Sequence, residues 1–294
     1  MQILGELRDS HTNIVPTYLY EYYEKNTHDS PGKKDAYCID LLELSKDDYT
    51  YWQDATVAFN EKYEKYFNGV GGAESYFTHR TYYDSNTLYL KIKKFMMSEE
   101  ECDSLRSLVL GGSDYDSIVI DICGNSGGNS NQWLENIVRP LLKGTVETQK
   151  LLAFRGGPLA DTYLAFIENS EDYSGSTYPI AAITQGLDYP SELASDFECF
   201  HSVVSKYLPK DSISFEGDIY LLVDNRVYSS AEGFATFCKQ TSFATIIGEQ
   251  TKGDGGSFEP ALFRLPNSGL LVRMRLQLTL NPDVSSRKGL RSNQ

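Results

Sequence analysis

The stretch that decides the fold is SIVIDICGNSGG, Ser117–Gly128. Its run from Ser117 to Cys123 is almost continuously apolar and rich in β-branched residues, the pattern of a buried strand. The glycines that follow let the backbone turn sharply and approach a neighbour closely. Trp133, Ile137 and Leu141 then recur every four residues, one face of a helix. Strand, glycine loop and helix together read as one unit of an α/β sheet.

Working outward, the unit repeats. Asp218–Asp224 (DIYLLVD) reads as a strand, and Ala231–Gln240 as a helix with Phe234, Ala235 and Cys238 inward. Ala244–Gly248 (ATIIG) is a strand again. Upstream, residues 88–95 (LYLKIKKF) are strand-like, and Ser98-Glu99-Glu100-Glu101 is a capping box opening a helix that ends at Gly111-Gly112. Repeated strand–helix–strand units predict a mostly parallel sheet covered by helices. A hairpin is expected around Pro266-Asn267-Ser268-Gly269, running through Leu270–Leu280. In that run Val272, Met274, Leu276, Leu278 and Leu280 alternate with Arg273, Arg275, Gln277 and Thr279, as in a half-buried strand.

Two regions are less regular. Residues 17–86 are polar and Tyr-rich, and their segments AYCIDLLEL (36–44) and YTYWQDATVAF (49–59) suggest strands among turns, hence a small β-rich N-terminal lobe. Residues from about 144 to 214 read as an irregular insertion, partly helical around Phe197–Tyr207. Ile3–Val15 suggests a short helix or strand entering a loop, and the tail 284–294 is polar and expected to fray.

Composition narrows the functional classes. The chain has 294 residues, 27 Lys+Arg against 41 Asp+Glu, and a net charge of −14. That balance argues against nucleic-acid binding, which depends on clustered Lys and Arg. Hydrophobic residues at 40% and aromatics at 13%, with 21 Tyr, exclude disorder as the main state. No apolar run approaches the roughly 20 residues of a membrane span, and the start MQILGELRDSHTNIVP lacks the features of a signal peptide. Cys38, Cys102, Cys123, Cys199 and Cys238 share no metal-type spacing, and the four His do not cluster with them. No metal site is expected.

Three places carry chemistry. Ser229, in Val227-Tyr228-Ser229-Ser230-Ala231-Glu232, lies just after a strand and just before a helix. There a hydroxyl is presented at the strand's carboxyl end, and helix-start N–H groups can stabilise a developing oxyanion. Serine also fills helix N-caps constantly. Ser230 is the natural N-cap here, which leaves Ser229 for another task. The loop Gly124-Asn125-Ser126-Gly127-Gly128 is the second place, read as an oxyanion-hole element or a plain strand–helix turn. Its Gly-Asn-Ser-Gly-Gly resembles the nucleophile loop of trypsin-like proteases, but the flanking strand and helix fit poorly with those double β-barrels. The third is Asp9-Ser10-His11-Thr12-Asn13. A serine nucleophile needs a base within hydrogen-bond reach, and His11 has the most polar context of the four His, with His79 next.

These pieces resemble the C-terminal-processing, or tail-specific, serine peptidases of peptidase family S41. Leu7-Arg8-Asp9-Ser10-His11-Thr12 is similar to that family's "D-x-H-T", and Asp121–Gly128 to its "D-x-R-x-N-x-G-G". Ser229-Ser230-Ala231-Glu232 matches "S-x-[SA]-E", and Ile246–Gly253 matches "I-I-G-E-x-T-x-G". The four motifs stand in family order. The resemblance implies a ClpP/crotonase-like fold and peptide-bond hydrolysis without metal or organic cofactor. It makes Ser229 the nucleophile and places the oxyanion hole at the N–H of Ser230 with Gly127 or Gly128. One branch of the family draws its base from a Lys after "G-E-x-T-x-G", where this chain has Asp254, and Lys252 stands two residues early. The tricorn-like branch uses a His preceded by a Ser, and Ser10-His11 fits it. That branch orients the His with a Glu after a segment like Asn281-Pro282-Asp283, whereas this chain continues Val284-Ser285-Ser286-Arg287-Lys288.

The expected organisation is therefore 1–16 as a core segment carrying His11, 17–86 as the small lobe, 87–283 as the catalytic core, and 284–294 as a tail. Residues 17–86 look too short for a complete PDZ domain, and both chain ends look truncated or diverged from the family. The partner is a peptide or protein substrate. The other open reading is a catalytically impaired homologue that binds peptides or small apolar ligands in the same cleft. Relatives are often exported, but no residue pattern here indicates a compartment or an oligomeric state.

Overall fold

The computed structural model describes residues 12–28, 40–51, 75–169, 174–184, 191–253 and 260–282. In chain order its strands are β1 (Asn13–Ile14), β2 (Phe77–Tyr82), β3 (Thr87–Ile92), β4 (Ser117–Asp121), β5 (Val146–Phe154) and β6 (Gly175–Pro179). They continue with β7 (Cys199–Tyr207), β8 (Asp218–Val223), β9 (Thr245–Gly248), β10 (Ala261–Arg264), β11 (Leu271–Met274) and β12 (Gln277–Leu280). The chain divides into two units.

The larger unit, residues 74–153, 171–257 and 279–294, is built on a five-stranded sheet in the order β2-β3-β4-β8-β9. As the apolar runs predict, β3, β4, β8 and β9 pair in parallel, and antiparallel β2 closes one edge. The register aligns Leu88 and Leu90 with Ile118 and Ile120, and these with Ile219 and Leu221. That face joins Leu105 and Val109, Trp133 and Ile137, and Phe234 and Phe237 of the covering helices in one buried cluster. Helix Glu99–Leu110 starts at the predicted capping box: Ser98 Oγ accepts the Glu101 N–H (3.2 Å), and the Ser98 N–H donates to Glu101 Oε2 (3.0 Å). The predicted Trp133/Ile137/Leu141 face is buried, but its helix widens to a π turn over Leu134–Val138. Pro140 supplies the cause: it has no N–H for the Asn136 carbonyl, and its ring would crowd that oxygen in a regular α-turn.

The region 144–214 differs from expectation. It supplies β5, β6 and β7, and a second sheet runs β12-β5-β7-β6. The helix expected around Phe197–Tyr207 is strand β7, with Phe200, His201 and Val203 buried. Antiparallel pairing with β6 satisfies its backbone, and that partner is invisible in the local pattern. The β10–β11 hairpin forms at the expected turn. Its second strand, however, breaks at Arg275-Leu276. Beyond the break β12 joins the other sheet and buries Gln277 and Thr279, so the expected Leu276/Leu278 alternation is not kept.

The smaller unit comprises residues 1–73, 154–170 and 258–278. Its sheet is β1-β11-β10. Helices Thr17–His28 and 40–51 replace the strands expected in this lobe, and residues 36–39 and 52–59 of those segments lie outside the described residues. Leu42, Ser45 and Tyr49 are buried at helical spacing, a period the β-prone Tyr and Thr obscured. Tyr20, Tyr23 and Tyr49 share the core with Val15, Leu42, Leu262 and Leu271. Tyr20 and Tyr49 stack with ring centroids 4.2 Å apart, Tyr20 OH donates to the Leu42 carbonyl (2.9 Å), and Tyr49 OH donates to that of Val15 (2.7 Å). Burial, with Glu24 and Asp47 nearby, pushes the Tyr20 pKa up to about 12. Among the described residues no helix is long and apolar enough to cross a membrane.

Candidate active site

β4 and β8 are adjacent and parallel although about 100 residues separate them in sequence, so the loops leaving their carboxyl ends lie side by side. The Ile122 N–H donates to the Leu222 carbonyl (3.0 Å), the Gly124 N–H to Asp224 Oδ1 (2.8 Å), and the Tyr228 N–H to the Asn125 carbonyl (3.2 Å).

In the first loop Gly127 and Gly128 have φ of 106° and 134°, and each is glycine for its own steric reason. A Cβ on Gly127 would lie 2.8 Å from Ser229 Cβ and 3.0 Å from Ser230 N. A Cβ on Gly128 would lie 2.0 Å from the Phe95 carbonyl oxygen. Fully buried Asn125 fixes the turn: its Oδ1 accepts the Gly127 N–H (2.8 Å), and its Nδ2 donates to the Ile92 carbonyl (3.2 Å). The Gly127 carbonyl accepts the Phe95 N–H (3.0 Å). Both polar groups of Gly127 are thus engaged, whereas the Gly128 N–H meets no protein acceptor among the described residues.

In the second loop Ser229 itself occupies the N-cap position of helix Ser230–Thr241, at φ 54° and ψ −125°, and its side chain makes no capping bond. This corrects the expectation that Ser230 caps the helix. Ser230 is the first helical residue, and its buried hydroxyl accepts from Trp133 Nε1 (3.2 Å) and Ser130 Oγ (3.1 Å). Stacking of Trp133 on Phe234 (5.2 Å between centroids) holds the indole there, a contact that local sequence does not reveal. The Ser230 backbone N–H, like that of Gly128, meets no protein acceptor among the described residues. Ser229 is half-buried. Its conformation is a sparsely populated one for a non-glycine residue, costing about 1–3 kcal/mol.

The third motif runs beside the second. The Glu249 N–H donates to the Val223 carbonyl (3.2 Å), and the Lys252 N–H to that of Val227 (2.9 Å). The Gly253 N–H reaches Oε2 of fully buried Glu232 (3.3 Å). Lys252 Nζ lies 4.8 Å from the Tyr228 ring centroid.

Sequence reading missed the group beneath the first loop. The register sets Lys91 opposite Asp121, and Lys91 Nζ donates to Asp121 Oδ1 and to the Cys123 carbonyl (both 2.8 Å). Asp121 also accepts from Tyr89 OH and from the Cys123 N–H. Burial raises the Asp121 pKa, but Lys91, Tyr89 and the Cys123 N–H outweigh it and hold the carboxyl below its ordinary 3.8. The Cys123 thiol is pushed up to about 12 by burial and by Asp121. Because the folded Asp121 value is depressed, its contribution to stability is present above the ordinary value and is lost as pH falls through the lower folded one. Urea titrations between about pH 5 and pH 2 should therefore show a shallower acid-side fall for Asp121→Asn than for wild type. Equal slopes would mean the carboxylate contributes nothing to folding.

Of the sequence candidates, Ser229, Ser230, Gly127 and Gly128 come together here. His11 and Ser10 lie outside the described residues, as does Asp254. His79 is exposed on edge strand β2 opposite Leu90, with β3 between it and β4. His201 is buried on β7, its Nδ1 2.9 Å from Thr177 Oγ1. Ser126 is exposed on the first loop.

Comparison with solved structures supports the fold. A protein of Parabacteroides merdae described as a candidate peptidase superposes with a TM-score of 0.53 at 15% identity, covering 99% of this chain and 72% of that one. Mature CPAF complexed with lactacystin gives a TM-score of 0.50 at 16% identity, covering 74% of this chain and 49% of CPAF. This chain therefore matches only about half of CPAF. No curated protein sequence matches the chain. The family model described as Peptidase family S41 matches residues 86–291, more than two thirds of the length. That span contains both facing loops and the strands that carry them, and on it the chain belongs to peptidase family S41, a family of serine peptidases.

Proposed function

We propose that the chain is a serine-type endopeptidase that hydrolyses peptide bonds through an acyl-enzyme on Ser229. The observation that carries this reading is the strained strand-to-helix turn at Ser229, whose hydroxyl caps nothing, facing a glycine loop at contact distance. Ser229 Oγ attacks the scissile carbonyl carbon, and its proton passes to a base and then to the leaving amine. Water hydrolyses the resulting ester. Of the two glycines, Gly128 is the oxyanion donor together with Ser230, because the Gly127 N–H is engaged by Asn125. His11 is the base and Ser10 its neighbour in the site; both roles rest on the "D-x-H-T" resemblance. The reaction so written uses no metal or organic cofactor, and its substrate is a peptide or protein.

Labelling with a fluorophosphonate tests the base. His11→Ala should label about 10²–10⁴-fold more slowly than wild type. An unchanged rate would remove His11 from the role.

A further inference from the structure

Against Tyr228, the residue before Ser229, stands a cation whose charge the described residues leave uncompensated. Lys91 is paired with Asp121 at 2.8 Å and Arg226 with Asp224 at 2.7 Å, so two cations at the loops are neutralised. Lys252 is exposed and has no carboxylate within ion-pair distance among the described residues, in a chain of net charge −14. Nor is its position arbitrary. Its N–H is held by the Val227 carbonyl at 2.9 Å, and Gly253 bridges to Tyr228, the residue before Ser229. Its ammonium rests 4.8 Å from the Tyr228 ring centroid, which limits where the charge can be.

On the reading of Ser229 as nucleophile, we propose that Lys252, steadied by Tyr228, is a specificity residue that binds a carboxylate of the substrate close to the scissile bond. The N–H groups of Gly128 and Ser230, which meet no acceptor among the described residues, and the start of helix Ser230–Thr241 add positive potential at the Ser229 turn. The acidic protein as a whole repels anionic peptides. The two fields together select a peptide with one acidic group at the right register over either a neutral or a polyacidic one. With its ammonium on the ring and no hydrogen bond to Ser229, Lys252 acts on binding rather than as the base.

The test uses the full chain carrying Ser229→Ala, so that binding is read without turnover. The probes are fluorescein-labelled, C-terminally amidated octapeptides of Ala and Leu, with one Glu or one Gln scanned through each position. A matching neutral peptide is used with a free C-terminal carboxylate and as its amide. Anisotropy should give about threefold to fivefold tighter binding for Glu than Gln at one position, the size of an exposed ion pair. That gain should shrink with added salt, vanish in Lys252→Met and persist in Lys252→Arg. A gain confined to the free C-terminal carboxylate and lost in Lys252→Met supports the same site with the chain end as its ligand. Equal affinity for every pair, no binding, or a preference that survives Lys252→Met overturns the proposal. Fluorophosphonate labelling of wild type reads the nucleophile separately. Labelling without any carboxylate preference overturns the Lys252 site alone, and a preference without labelling keeps the site and overturns the hydrolysis.

Discussion

Ser229→Ala should lower hydrolysis of a fluorogenic peptide by about 10⁶-fold, the loss seen when a serine nucleophile is removed from an otherwise intact site. The protein itself should be unmoved. The Ser229 side chain makes no capping bond, so nothing in the helix start depends on it. Alanine meets the same backbone strain at φ 54° that serine does. Urea unfolding should therefore stay within about 0.5 kcal/mol of wild type. A variant that keeps activity within about tenfold of wild type would move the nucleophile elsewhere, with exposed Ser126 the next residue to substitute.

Gly128→Ala should be the most damaging change among the residues that are not nucleophile or base. Its new methyl would fall 2.0 Å from the Phe95 carbonyl oxygen, a backbone atom that no side-chain rotation can clear. At φ 134° an L-residue is strained even without the clash. The loop must shift, and the Gly128 N–H shifts with it. Loss of one oxyanion donor costs about 10²–10³ in kcat, and the overpacking a further 1–3 kcal/mol or so of stability. Gly144→Ala is the control, since a Cβ there meets nothing within 4 Å. Its activity should equal that of wild type. Comparable losses in both variants would show that any glycine change of this kind is harmful and that Gly128 has no special place.

The two loops that hold these residues are legible in the sequence because buried parallel strands write themselves plainly. SIVIDIC and DIYLLVD are almost continuously apolar runs, each followed at once by a loop and a helix start. Their adjacency was not written locally, since about 100 residues intervene between β4 and β8 and only the sheet order joins them. The same limit explains the misread parts. CFHSVVSKY, at β7, mixes apolar and polar residues with no clear period, and its strand state is decided by pairing with β6. The helix over 40–51 did carry a legible signal in Leu42, Ser45 and Tyr49, masked by the β propensity of neighbouring Tyr and Thr. Ser230 looked like a cap because capping is a local rule, whereas its hydroxyl is claimed by Trp133 from another helix. Asn125 lay within the quoted motif, yet its hold on the Gly127 N–H, which decides between the two glycines, is a matter of side-chain geometry.

The central claim is that the reactive atom is Ser229 Oγ. It is tested most directly by treating the folded chain with a fluorophosphonate, digesting it, and locating the adduct by mass spectrometry. The account predicts a single phosphonylated residue, Ser229, and no adduct after prior heat unfolding. An adduct on Ser126 or any other residue, with Ser229 unmodified, would contradict it.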